Sequence, residues 1–317
     1  VTAPLRGDGF DRLQAAADVV YDPWIEASPL RIYNSAQLAE RIQAEGADAV
    51  VVESDLVGPE VFATGVRFVA TTRGDPVNVD LAAAGEAGVP VLRCPARNAD
   101  AVAELAVALL FAVNRSVVQA DEDVRAGQVF KDGTIPYQRF RAWELAGRTA
   151  GIVGLGAVGR ATKWRFEGLG LTVVAYDPYA PDAEASLDEL LAAADVVSMH
   201  APVTAETTGM IGAAQFAAMK PGSIYLNTAR AKLHDTAALV ESLRSGHLSG
   251  AGLDHFEGEH LPTDHPLVSM TNVVLTPHIG GATWDTEARQ SAMVADGLFS
   301  LQEGELPAHL VNPEVFT

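Results

Sequence analysis

Three ionisable side chains follow β-type runs in the second half of the chain: Arg230, Glu259 and His278. A guanidinium can grip a carboxylate in a planar, bidentate fashion. An imidazole titrates close to neutral pH and can give or take a proton. A carboxylate bonded to its second ring nitrogen fixes the tautomer and favours the protonated form. Taken singly, each also reads as an ordinary residue: Arg230 as a surface charge, Glu259 as a loop carboxylate, His278 after Pro277 as a satisfied core histidine. Spacing alone does not bring them together. Glu257 is a local rival for Glu259.

A second pattern changes the weight of the first. Gly154-Leu-Gly156-Ala157-Val158-Gly159 is a G-x-G-x-x-G directly after a β-type run and directly before a helical one. In that context the first glycine permits the turn, the second admits a pyrophosphate, and the third allows close helix–strand packing. The helix N-terminus then presents unpaired N–H groups to the diphosphate. Asp177 closes the next β-type run, 18 residues after Gly159, where a carboxylate accepts both ribose hydroxyls of an adenosine. Pro178-Tyr179-Ala180 brings no Arg or Lys to meet a 2′-phosphate, so NAD is favoured over NADP. Hydride transfer to a carbonyl carbon needs a proton donor at its oxygen, which gives Arg230, Glu259 and His278 a joint purpose.

These residues need a scaffold, and the chain reads as two α/β series. Ala49–Glu53, Arg67–Thr71 and Val89–Arg93 read as buried parallel strands, with helices over Ser35–Ala44 and Asp80–Ala87 capped by Ser35 and Asp80. Asn98 to about Gly127 reads as one long helix with a wide apolar stripe, covered by a second domain or another subunit. Five further strands are expected: Thr149–Val153, Leu171–Tyr176, Asp195–His200, Ser223–Asn227 and Asn272–Thr276. Helices over Leu187–Ala193 and Thr236–Ser245 lie among them, and a final helix spans about Thr283–Glu303. In open α/β sheets, ligands bind beyond the carboxyl ends of strands, so the three ionisable residues converge on one crevice.

Composition narrows the partners. Of 317 residues, 22 are Lys or Arg and 41 are Asp or Glu, a net charge of −19 that argues against nucleic acid and against an anionic membrane surface. The longest apolar run, Leu105–Val113, has nine residues, too few to span a bilayer, and the first residues lack a signal-peptide layout. The lone Cys94 forms no intrachain disulfide and fits a cytoplasmic setting as a small strand residue. His255, His260 and His265 lie on one loop without Cys partners, and no metal site is expected.

From about Arg67 to Gly304 the chain resembles the D-isomer-specific 2-hydroxyacid dehydrogenases, which include D-3-phosphoglycerate, D-lactate and hydroxypyruvate/glyoxylate dehydrogenases. The likeness rests on Asn78-Val-Asp80, Gly88-Val-Pro90, Asn98 with Val102-Ala-Glu104, and Glu144-Leu-Ala-Gly147 leading into the glycine turn. It continues through His200-Ala201-Pro202, Asn227-Thr228-Ala229-Arg230, Gly252-Leu-Asp254 and Thr276-Pro-His278-Ile-Gly280-Gly281-Ala-Thr283. It implies Arg230 as the substrate-binding arginine, Glu259 as the carboxylate partner and His278 as the general acid/base. NAD contacts are implied for Gly154, Gly156, Ala157, Val158, Gly159, Asp177, Pro178, His200, Ala201, Pro202, Thr228, Ala229, Arg230, Asp254, His278, Gly280 and Gly281. Arg73, Gly74 and Asp75 occupy the loop that holds the substrate carboxylate. Arg73 reads either as a second anion anchor, for a phosphate or phosphonate, or as a partner of Asp75.

The implied fold has two doubly wound parallel-sheet domains. A Rossmann NAD-binding domain at 98–292 is inserted into a flavodoxin-like substrate domain at 1–97 plus 293–317, with a homodimer formed through the NAD-binding domain. The implied reaction is the NAD-dependent interconversion of a 2-oxo acid and a D-2-hydroxy acid. A non-enzymatic NAD(H) sensor or co-repressor is the alternative use of this scaffold. Formate dehydrogenase, a relative, carries Gln where Glu259 stands. Four positions depart from the usual pattern: Ala231 for Gly, His260 for Pro, His255 for Val, and His234 for an aliphatic residue.

Overall fold

The computed structural model describes residues 1–316 and divides into two compact units, Val1–Arg97 with Thr283–Thr317, and Asn98–Ala282. The second division falls at 282/283, where the sequence reading places it at 292/293. The C-terminal helix Trp284–Gln302 is continuous, with Thr283 as its N-cap, so it goes whole to the first unit.

The first unit carries three parallel strands in the order β1 (Ala49–Val52), β2 (Phe68–Thr71) and β3 (Val91–Leu92). β2 is buried throughout, as a β-branched run between helical layers should be. Helices α1 (Gly7–Ala16), α2 (Ser35–Glu45), α3 (Pro59–Phe62) and α4 (Leu81–Glu86) surround it. Asp80 caps α4 by accepting from the Ala83 N–H. α2 is capped by Asn34, not by Ser35: Asn34 and Gln37 form a reciprocal capping box. The Ser35 hydroxyl instead accepts from the Gly58 N–H and donates to Glu60.

The second unit is a six-stranded, all-parallel sheet. Its strands are β4 (Thr149–Val153), β5 (Thr172–Tyr176), β6 (Val196–Met199), β7 (Ser223–Asn227), β8 (Leu248–Leu253) and β9 (Val273–Leu275). Their order, β5-β4-β6-β7-β8-β9, turns back on itself beside β4. That reversal opens a crevice at the carboxyl ends of β4 and β6, the place where doubly wound sheets bind ligands.

β8 is not among the five expected strand ranges, because Leu-Ser-Gly-Ala-Gly-Leu lacks the β-branched content of a strand. Its small residues answer a packing demand. A Cβ on Gly252 would lie 2.9 Å from Leu109, and one on Gly250 2.6 Å from Val113. Both neighbours belong to α5 (Ala99–Asn114), which lies close against this sheet. The wide apolar stripe of α5 is therefore covered by its own unit: Leu109 and Leu110 join Ile152, Phe166 and Leu226 in one core. Burying each leucine contributes about 1.5–3 kcal/mol.

The helix expected to run from Asn98 to Gly127 is two helices, α5 and α6 (Val117–Arg125), bent by 62°. Ser116 between them adopts a left-handed φ of 49°, and the Asn114 side-chain amide donates to Trp143 O. Among the described residues no single helix is long and apolar enough to cross a membrane; only this bent pair passes by length and composition.

Candidate active site

The glycine turn is built by steric exclusion. Gly154 has φ +95°, and a Cβ there would lie 2.4 Å from the Ala201 N. A Cβ on Gly159 would lie 2.0 Å from Gly154 O, so helix α7 (Ala157–Gly168) can approach the strand only without one. Gly156 is different, since a Cβ there meets nothing within 4 Å. It faces open space at the N-cap of α7, where no side chain caps the first-turn amides. An anion fits that position. Asp177 is held in place by the Leu155 N–H at 2.7 Å and the Tyr179 N–H at 2.9 Å. The half-buried carboxylate keeps lone pairs for further donors.

Two buried polar atoms near the same strand ends have no partner within the protein: His200 Nδ1 and Thr228 Oγ1. Unsatisfied buried groups are costly, and a ligand with donors and acceptors would satisfy them. Burial pushes the His200 pKa down to about 3, so the ring is neutral. Its Nε2 lies 2.9 Å from Ser198 Oγ. Ala201 is buried against the turn, and Pro202 O accepts from Thr207. The turn, Asp177 and these orphaned atoms together fit a dinucleotide.

The ionisable residues leave the carboxyl ends of the next three strands. Arg230 follows β7 in a turn organised by Asn227. The Asn227 side chain accepts from the Ala229 N–H at 3.0 Å and donates to Arg230 O at 2.9 Å. His234 lies 3.0 Å from the same amide nitrogen and is pushed down to about 4 by burial, which keeps its ring a neutral acceptor. Ala231 begins a short 3₁₀ turn, a conformation that tolerates a Cβ.

Beyond β8, Asp254 is fully buried. Its Oδ1 accepts from Thr276 Oγ1 at 2.6 Å and the Ile279 N–H at 2.9 Å, and its Oδ2 accepts from the Gly280 N–H at 2.8 Å. The sequence reading counts Asp254 among the cofactor contacts; in the structure its buried carboxylate clamps the loop that carries His278. That loop needs a clamp. His278 has φ +54°, a left-handed conformation that costs a non-glycine residue about 1–3 kcal/mol; Glu259, on the loop after β8, has φ +55°. Each bond to the Asp254 carboxylate contributes about 1.5–3 kcal/mol, enough to offset the strain.

Both side chains are roughly half exposed, and His278 Nδ1 lies 3.1 Å from Glu259 Oε1. Among the described residues Glu257 makes no such contact. His255, which the sequence offers as a departure from the usual pattern and as one of three solvated loop histidines, is instead buried and joins the group. Its ring centroid is 3.9 Å from that of His278 and its Nε2 is 3.4 Å from Arg230 Nη1. Thr276 and Asn227 are positioning groups that sequence reasoning overlooks, although both sit inside the motifs that carry Arg230 and His278. The ligand atoms of His255, Glu259 and His278 lie within 4.8 Å of one another, a spacing that a divalent cation would also accept. His260 and His265 are not part of this group; His265 caps a short 3₁₀ turn. Arg73, Gly74 and Asp75 lie in the first unit, in the loop after β2. Arg73 forms no ion pair with Asp75 or any other described residue. Cys94, buried, is pushed up to about 12, which suits an inert strand-end thiol.

Comparison with known proteins agrees with this geometry. Residues 107–280 match the family model of the D-isomer specific 2-hydroxyacid dehydrogenase NAD binding domain. A glyoxylate reductase of Korarchaeum cryptofilum (strain OPF8) is 38% identical over 326 residues, covering 99% of this chain and 96% of the relative. A D-3-phosphoglycerate dehydrogenase of Mycobacterium leprae (strain TN) is 39% identical over 84% of this chain, which spans about half (51%) of that protein. Among solved structures, the TT0316 protein from Thermus thermophilus superposes with a TM-score of 0.82 at 37% identity, covering 98% of both chains. The chain belongs to the D-isomer specific 2-hydroxyacid dehydrogenases, enzymes that use NAD to interconvert 2-oxo and 2-hydroxy acids.

Proposed function

We infer that the chain reduces a short 2-oxo acid of the glyoxylate class to its D-2-hydroxy acid. The observation that carries this reading is the 3.1 Å approach of His278 Nδ1 to Glu259 Oε1. With that nitrogen engaged, the other is left to protonate the substrate oxygen, while Glu259 stabilises the imidazolium. Arg230 grips the substrate carboxylate and polarises the carbonyl. Bound NADH supplies the hydride to C2. The glyoxylate class is favoured because the relative bearing that name aligns over nearly its whole length, whereas the phosphoglycerate dehydrogenase relative is matched over half of its own.

The loop at Arg73, Gly74 and Asp75 is the proposed second substrate contact, and Arg73, lacking an ion pair among the described residues, suits an additional anionic group. Following NADH absorbance against glyoxylate, pyruvate, hydroxypyruvate, phenylpyruvate, 3-phosphohydroxypyruvate and phosphonopyruvate tests both points. Fastest turnover with glyoxylate or hydroxypyruvate is expected. A preference for the phosphorylated compound that Arg73→Ala removes would move the assignment to a dianionic substrate. No oxidation with any compound would favour a nucleotide sensor.

A homodimer through the NAD-binding unit is the proposed assembly. Val117, Val118, Val124, Phe130, Ile135 and Tyr137 are exposed on α6 and the segment after it, with Tyr137 86% and Phe130 77% accessible. Apolar exposure on that scale marks an interaction surface. Sedimentation should show a dimer that Phe130→Glu weakens; a monomer at all concentrations would refute it.

A further inference from the structure

We propose that His255 is a positioning residue, whose ring ties Arg230 to the Glu259–His278 pair so that substrate anchor and proton donor keep one register. The proposal rests on the roles inferred above for those three residues. His255 follows Asp254 at the end of β8 and is 4% exposed, whereas Arg230, Glu259 and His278 are all exposed. It is the one buried ring among these solvent-facing groups.

Three contacts define what it can do. Arg230 Nη1 donates to Ala229 O at 2.6 Å and lies 3.4 Å from His255 Nε2. A guanidinium only donates, so Nε2 accepts and the ring proton sits on Nδ1. That Nδ1–H is buried, has no hydrogen-bond partner, and lies 3.7 Å from Glu259 Oε1. An unsatisfied buried donor is costly, so Glu259 is drawn toward His255 as well as toward His278. The third contact is the His278 ring itself, 3.9 Å away between centroids at an interplanar angle of 56°.

The charge state follows from the same neighbours. Burial, then the neighbouring His278 ring and the Arg230 guanidinium, push His255 down to about 4, against the opposing pull of Glu259. It is neutral under ordinary conditions and accepts from Arg230 without adding a like charge. A valine at this position would fill the space beside His278 but accept nothing from Arg230. This chain therefore holds its substrate-binding arginine by a link that an aliphatic residue lacks.

The test separates the ring from its acceptor. His255→Phe keeps a flat ring against His278 and loses the acceptor; His255→Gln places an amide oxygen near the position of Nε2. With the fastest 2-oxo acid of the panel, His255→Phe should raise KM about tenfold and lower kcat by less than about threefold, as expected for a misplaced anchor. His255→Gln should return KM to within about twofold of the parent. Unchanged KM in His255→Phe, or equal impairment in both variants, would overturn the proposal.

A measurement on the unaltered protein stands apart from folding of the variants. Nitrogen-15 NMR of labelled histidines should place the His255 proton on Nδ1, and a proton on Nε2 would also overturn it. Failure of the underlying catalytic reading looks different: His278→Ala would then retain turnover, while the His255 tautomer would be unaffected.

Discussion

The turn at Gly154–Gly159 and the cluster of Arg230, Glu259 and His278 belong to one sheet, yet they are built by opposite means. The turn is six consecutive residues whose shape follows from what a Cβ would strike, 2.4 Å from Ala201 N at Gly154 and 2.0 Å from Gly154 O at Gly159. The cluster is drawn from three loops, after β7, after β8 and after β9, and two of its members sit in left-handed backbone conformations. A local motif needs only the right residues in sequence. An assembled one needs a clamp, and Asp254 with its three bonds provides it. Nucleotide binding and proton transfer should therefore fail independently.

The largest expected break is His278→Ala, which should lower kcat about 10²- to 10⁴-fold. NADH affinity, read by fluorescence titration, should stay within a few-fold of the parent. Turnover at the parental rate would remove His278 from the chemistry. Next is Asp254→Ala, which frees the 276–280 loop without touching the glycine turn. It should reduce kcat/KM by about 10–100-fold, the effect of misplacing a reacting group, again with little change in NADH affinity. Equal losses in both properties would show that clamp and turn are one structural unit.

On the side of the turn, Asp177→Ser should weaken NADH by about tenfold and narrow the preference over NADPH, leaving kcat at saturating cofactor nearly unchanged. Isothermal titration with both cofactors would check it. The smallest effect concerns stability. His234 and His255 are both buried and held near 4, whereas an exposed histidine titrates near 6.5. The unfolded chain therefore takes up protons first as pH falls. Their contribution is fully present above about pH 6.5 and is lost progressively as the pH falls from there towards 4. Urea unfolding at pH 7 and pH 5 should show the loss. A His234→Gln variant with the same acid sensitivity as the parent would exclude His234 as a source.

How much of this is legible without coordinates depends on range. Thr149–Val153 and Ser223–Asn227 match their expected strands end to end, because buried parallel strands carry apolar runs that need no partner to be recognised. β8 escapes sequence reasoning because its glycines answer to Leu109 and Val113, distant residues with no mark in the strand's own composition. The break at Ser116 escapes it because Asn114-Arg115-Ser116 contains neither Gly nor Pro to signal a helix end. The motif around Asp254 is visible in the sequence, whereas the three bonds its carboxylate accepts from the 276–280 loop are not.

The residues alone establish the parallel α/β class, the glycine turn with Asp177, the acidic character that argues against nucleic acid, and the residue types for hydride chemistry on a 2-oxo acid. Periodicity, turn sterics and charge are local or additive properties, so they survive without coordinates. Three outcomes belong to the folded chain: Glu259 rather than Glu257 meets His278, Asp254 faces inward, and His255 touches both Arg230 and His278. They depend on which loops leave adjacent strands and how their backbones are held. Sheet order and packing set both, and neither is written in any one segment of the chain.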